Sequence, residues 1–174
     1  KQFEMVSFAP NWTGALYDGK VRIRMGGFNG NESELKRLVR HEVTHAYVHH
    51  LAGSNCPVWL NEGLAQLFEG PIDQNKKKML AQVANSEVTV PLASLEAPFF
   101  RFPEKQARTA YIVSLGATEY LVNRAGYGGV ARILKDLGQG QNMEKALTKE
   151  LATGYEDLNY NYKTFLRTEY GRQN

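Results

Sequence analysis

Cysteine is almost missing from this chain. Cys56 stands alone among 174 residues, so no internal disulfide can form. Without a CxxC partner a thiolate metal site is unsupported, and packing is the expected role for the Cys56 thiol. Long apolar runs are missing too: none approaches the length of a bilayer span, so no transmembrane segment is expected in this chain. Strong charge of either sign is lacking, with a net charge of +3. The basic residues are scattered apart from Lys76-Lys77-Lys78, which reads as a solvated helix face, so nucleic acid is not an expected partner. Internal repeats, low-complexity tracts and long linkers do not occur. No leader peptide is visible, but the chain opens on Lys1, and a trimmed or mature fragment of a longer chain is the expectation. With 43% hydrophobic residues, residues 1–174 can close one core, and a single domain is expected.

Histidine is as sparse as it is clustered. The four in the chain, His41, His45, His49 and His50, fall within ten residues. The first two form His-Glu-x-x-His, a pattern expected by chance on the order of once in 200 chains of this length at ordinary composition. Residues four apart on a helix differ by about 40° and one turn, so His41 and His45 project from one face. Two neutral imidazoles held that way form one edge of a tetrahedral Zn²⁺ site. Glu42 lies beside that face and can serve as general base toward a water on the metal. A third protein ligand is still required, and Glu62 is the leading candidate. It follows Gly53 and Pro57, which can end one helix and start a second that turns back on it. His49 continues the stripe and could close the site as a fourth ligand, but one further turn carries it away, and an outer or exposed place is expected. His50 points elsewhere.

The hydropathy pattern around this core suggests an α+β fold, with a small N-terminal sheet followed by a mostly helical C-terminal half. Residues 3–8 read as a strand. Asp18-Gly19 forms a hairpin turn into the alternating strand at 21–25, and 26–31 form a loop. Asn31 or Ser33 caps a helix running to Leu51-Ala52, with Gly53 as its C-cap. Helices follow at 58–68 behind Pro57, from an Asp73 cap to about 85, and from 104 to about 124. After a break at 126–129, three more span 130–137, 143–151 and 156–170. Residues 86–103 are irregular, and their Phe99, Phe100 and Phe102 are expected to close the core rather than wall a cleft.

The string His41-Glu42-Val43-Thr44-His45, followed by Trp59-Leu60-Asn61-Glu62-Gly63-Leu64-Ala65, resembles the gluzincin metallopeptidases. In that family two histidines and a glutamate from a following helix bind zinc. The second string is most similar to the aminopeptidase N branch, and the whole chain to small bacterial domains grouped as peptidase MA-like. Metzincins fit poorly, since their pattern needs Gly at 48 and His at 51, where this chain has Val48 and Leu51. The resemblance implies a zincin-like fold and a peptide or protein substrate, and makes the strand at 21–25 the edge of the substrate cleft. An ordinary edge strand guarded by Arg22 and Arg24 is the plainer alternative. Gln66, one turn past Glu62, could hydrogen-bond a ligand imidazole, work done by an aspartate in thermolysin-like relatives. The aminopeptidase motif Gly-x-Met-Glu-Asn has no counterpart at Arg24-Met25-Gly26-Gly27, which favours an endopeptidase or untyped peptidase. The compartment stays open; an extracytoplasmic bacterial one is compatible with the resemblance.

A zinc peptidase also needs a donor for the oxyanion. All histidines lie on or near the zinc helix, so tyrosine is the remaining neutral donor. The aminopeptidase N branch uses a tyrosine downstream of the glutamate, and by that resemblance Tyr111 is the candidate, with Tyr120 and Tyr127 behind it. The resulting reading is a zinc-dependent peptidase with His41, His45 and Glu62 on the metal, Glu42 as base and Tyr111 on the oxyanion. The alternative is a zinc-binding interaction module without turnover.

Overall fold

A computed structural model describes residues 31–171 and the backbone of two short strands, 15–17 and 21–23. The strands, β1 (Ala15–Tyr17) and β2 (Val21–Ile23), pair antiparallel with Ala15 opposite Ile23 and Tyr17 opposite Val21. Everything else among the described residues is helix or connecting segment. The α+β expectation is therefore corrected: the fold is helical, and a ribbon of two three-residue strands is no sheet layer. The physical reason lies in the core. Among the described residues its buried apolar side chains all come from helices and short 3₁₀ turns, which pack against one another without a sheet layer. The strand expected at 3–8, the turn at Asp18-Gly19 and the loop at 26–30 lie outside the described residues.

Helix α1 (Glu32–Ala52) starts where Asn31 accepts a bond from the Ser33 amide at 3.0 Å, with Glu32 and Glu34 in its first turn, complementing the positive end of the helix dipole. It stops at Gly53, whose φ of 60° belongs to the left-handed region, where glycine carries no side-chain penalty. Pro57 then precedes α2 (Val58–Phe68). Asp73 caps α3 (Gln74–Asn85), accepting from the Lys76 amide at 2.8 Å. Helix α4 (Glu104–Gly138) is long but interrupted at Gly126, whose φ of 68° and ψ of 169° are not helical. The break expected at 126–129 thus survives as a single-residue kink. Helices α5 (Met143–Leu151) and α6 (Tyr155–Tyr170) complete the chain. No helix among the described residues is long and apolar enough to cross a membrane.

Packing centres on α2, which lies against α4 and α1. The approach to α4 is close enough that a Cβ at Gly63 would overlap the Ser114 carbonyl and the Thr118 hydroxyl. Glycine at that position is what lets the Glu62 helix settle onto α4. Beside it Trp59 is fully buried, its indole N–H donating to the Tyr155 hydroxyl at 3.1 Å, which donates in turn to Glu96 Oε1 at 2.5 Å. A fully buried indole with its one donor satisfied is a strong anchor. Leu60, Leu115, Leu121, Leu158 and Leu166 are fully buried in the same core.

Candidate metal centre and active site

Helical spacing brings His41, Glu42 and His45 together on α1, with one ligand-type atom from each within 4.8 Å of the others. The two imidazoles meet edge to face, with centroids 4.6 Å apart at 83°. Their outer nitrogens are both engaged. His41 Nδ1 lies 2.8 Å from Glu69 Oε1, and His45 Nδ1 lies 2.9 Å from Asn61 Oδ1. Glu69 and the Asn61 oxygen are acceptors, so Nδ1–H donates in each pair and Nε2 is the nitrogen turned toward the site. Both Nε2 atoms face one carboxylate oxygen: Glu62 Oε2 is 3.8 Å from that of His41 and 3.9 Å from that of His45. Glu42 and Glu62 both approach the pair, but they differ in setting. Glu62 faces both Nε2 atoms from the opposing helix, whereas Glu42 is next to His41 on the same helix and 3% exposed.

Electrostatics sharpen the difference. Burial pushes the Glu62 carboxyl up to about 7, against the pull of His41 and with the charge of Glu69 adding to it. Burial also raises Glu42, His45 and His41 counteract, and Glu62 adds to the rise. Glu42 Oε2 is a buried oxygen with no hydrogen-bond partner among the described residues, an arrangement that costs free energy when such a group stays unpaired. The histidines diverge. Burial would lower His41, but its bond to Glu69 and the charges of Glu62, Glu69 and Glu42 outweigh that and raise it. Burial and the neighbouring His41 lower His45, against Asn61 and the carboxylates.

Glu69 is the site residue that the sequence pattern did not single out. Burial would raise its carboxyl, yet bonds from His41 and Lys76 hold it down at about 2. Arg37 and Lys76 each reach Glu69 Oε2 at 2.9 Å, and Arg40 reaches its carbonyl at 3.5 Å. The available signal was positional: Glu69 lies two helical turns beyond Glu62, and Asn61 lies beside it. Gln66 does not take the role expected of it. Its Nε2 donates to the Tyr111 carbonyl at 2.9 Å and the Glu62 carbonyl at 3.3 Å, tying α2 to α4 instead of holding an imidazole.

That tie sets Tyr111 at the level of Glu62. Burial, then the charges of Glu62 and Glu42, raise the Tyr111 hydroxyl above its ordinary range, so it remains a protonated donor within the field of both acids. Its ring meets Phe99 edge-on at 5.1 Å. Phe99 is buried, as a core role requires, while Phe100 is exposed. Tyr120 packs on Phe165, and Tyr127 packs on Phe68. His49 and His50 are exposed near the end of α1 and outside the His41–Glu42–His45 group. Burial pushes the Cys56 thiol up to about 12, against a bond from the Asn61 amide, so it is a packed thiol and not a thiolate ligand.

Residues 2–168 match the family model described as Peptidase MA superfamily. No curated protein and no solved structure matches the chain.

Proposed function

The chain belongs to the Peptidase MA superfamily, and on that premise we propose that it is a zinc-dependent peptidase of the gluzincin type. The carrying observation is the convergence of His41 Nε2, His45 Nε2 and Glu62 Oε2 beside an unpartnered, buried Glu42 oxygen. The donor set fits zinc: two imidazoles locked through Nδ1, one carboxylate from an opposing helix, and a desolvated acid left over. His41, His45 and Glu62 would hold the ion. When bound, it supplies Lewis acidity toward water and the scissile carbonyl.

The remaining chemistry belongs to the chain. Glu42 takes the proton of the attacking water and passes it to the departing amide nitrogen, and its raised affinity for protons suits both halves of that transfer. The Tyr111 hydroxyl donates to the carbonyl oxygen as negative charge builds there. Glu69 and Asn61 fix the histidine tautomers, and Arg37 and Lys76 hold Glu69 in place. The substrate is a peptide or protein. No acid stands at the position where the aminopeptidase branch anchors a free amino terminus, which favours cleavage within chains.

Purified protein is expected to carry close to one zinc per chain, and Ala at His41, His45 or Glu62 to remove most of it. Glu42→Gln is expected to keep zinc and fold while losing about 10²–10⁴ in casein hydrolysis. Full activity in Glu42→Gln defeats the mechanism. A zinc-loaded wild type that cleaves nothing in a broad peptide library favours the second reading, a zinc-binding interaction module, against which the buried base at Glu42 weighs.

A further inference from the structure

A cavity unrelated to this chemistry lies on the far side of α4. It is a cleft of about 390 Å³, open to solvent on one side, between α3, residues 86–90, the first turns of α4, and α6, within the size range of small-molecule sites. Met79, Val83, Ile112 and Tyr162 give it apolar walls, and no carboxylate is among its lining residues. Three cations, Lys105, Arg108 and Lys163, line it instead.

Lys163 is the unusual member. The residue is 6% exposed, and its ammonium donates to two neutral acceptors, Thr89 Oγ1 at 2.9 Å and the Val88 carbonyl at 3.3 Å. An ammonium has three protons, which leaves one for the cavity. Burial and then the charge of Arg167 lower its pKa, and no carboxylate pairs with it among the described residues. An ammonium whose side chain is covered and whose partners among the described residues are neutral can still take an anionic partner. Lys105 at the rim is exposed and makes no ion pair among the described residues, whereas Arg108 is already held by Glu104 at 2.6 Å. Glu87, in the adjoining loop, is exposed. Lys163 and Lys105, neither of them ion-paired among the described residues, stand beside apolar walls and match an anionic head group on an apolar body.

We propose that this cavity binds a medium-chain monocarboxylate, its head group on Lys163 and Lys105 and its tail along Met79, Val83, Ile112 and Tyr162. Isothermal titration of the full chain with decanoate, decanol and decyltrimethylammonium, all below micelle formation, tests it without reference to zinc or activity. Decanoate is expected to bind at one per chain and at least about tenfold more tightly than decanol, with no binding of the cation. Lys163→Met is expected to lose about tenfold in decanoate affinity while leaving decanol unchanged. If that variant does not fold, as judged by its urea transition, the exposed pair Lys105→Gln/Arg108→Gln carries the test, with a severalfold loss expected. Equal affinity for decanoate and decanol, no decanoate binding, or wild-type affinity in the folded variants overturns the proposal.

Discussion

Where α4 meets α5, Arg132 reaches Glu150 Oε2 with Nε at 2.9 Å, and Lys149 reaches Asp136 at 2.7 Å. In both pairs the cation faces solvent. Where α1 meets α2, the ionisable groups are gathered and enclosed: Glu42, Glu62, Glu69, His41 and His45 share one desolvated space. The first arrangement satisfies each charge with an opposite one and is worth little. The second leaves Glu42 Oε2 without a partner among the described residues and pushes the Glu62 carboxyl up to about 7, perturbation of a kind that collects at functional sites. Charge at the α4–α5 contact closes on itself, while the α1–α2 contact gathers three carboxyls around two imidazoles.

The sharpest way to separate the two regions is to remove one atom at the site. Tyr111→Phe deletes the hydroxyl and is expected to lower kcat by about 10²–10³ with zinc content and KM nearly unchanged. Steady-state kinetics on a fluorogenic peptide reads this, and wild-type kcat would refute the role. The next test compares acids that partner a basic group. Glu69→Gln weakens the acceptor for His41 and is expected to cost about 10–100-fold in zinc affinity, measured by competition with a chromogenic chelator. Unchanged affinity would reduce Glu69 to an ordinary ion-pair residue.

A third test strikes the joint between the regions. Gly63→Ala puts a Cβ against the Ser114 carbonyl and Thr118 hydroxyl, and a loss of roughly 1–3 kcal/mol is expected in urea unfolding. Because α2 also carries Glu62, zinc affinity should fall with it. Stability lost without any change at the metal would mean that α2 shifts as a unit. The smallest effect is expected at the exposed pair: Arg132→Gln should leave both the urea midpoint and peptide hydrolysis where they were. A clear shift in either would erase the contrast drawn here.

Much of the molecule can be read locally. The helix bounds follow from Asn31, Gly53, Pro57 and Asp73, whose capping chemistry acts over a few residues. The proximity of His41 to His45 follows from helical periodicity alone. The expected sheet failed because alternation at 21–25 signals a strand but not how many partners it has, whereas the helical apolar faces suffice to build the described core. Gln66 was read by analogy of position, and its amide bonds the Tyr111 carbonyl 45 residues away.

The sequence by itself determined the adjacency of His41, Glu42 and His45, the helices that carry them and Glu62, and membership of the Peptidase MA superfamily. These rest on spacings of one to seven residues, where backbone geometry alone decides which side chains are adjacent. Tertiary structure decided that Glu69 bonds His41, that Asn61 bonds His45, that Tyr111 lies within the field of Glu62 and Glu42, and that Lys163 meets Thr89 and the Val88 carbonyl. Each of these depends on contacts between segments distant in the chain. Such contacts are set by how closely α2 can approach α4 at Gly63 and how α6 closes over α3, and no local pattern encodes that distance.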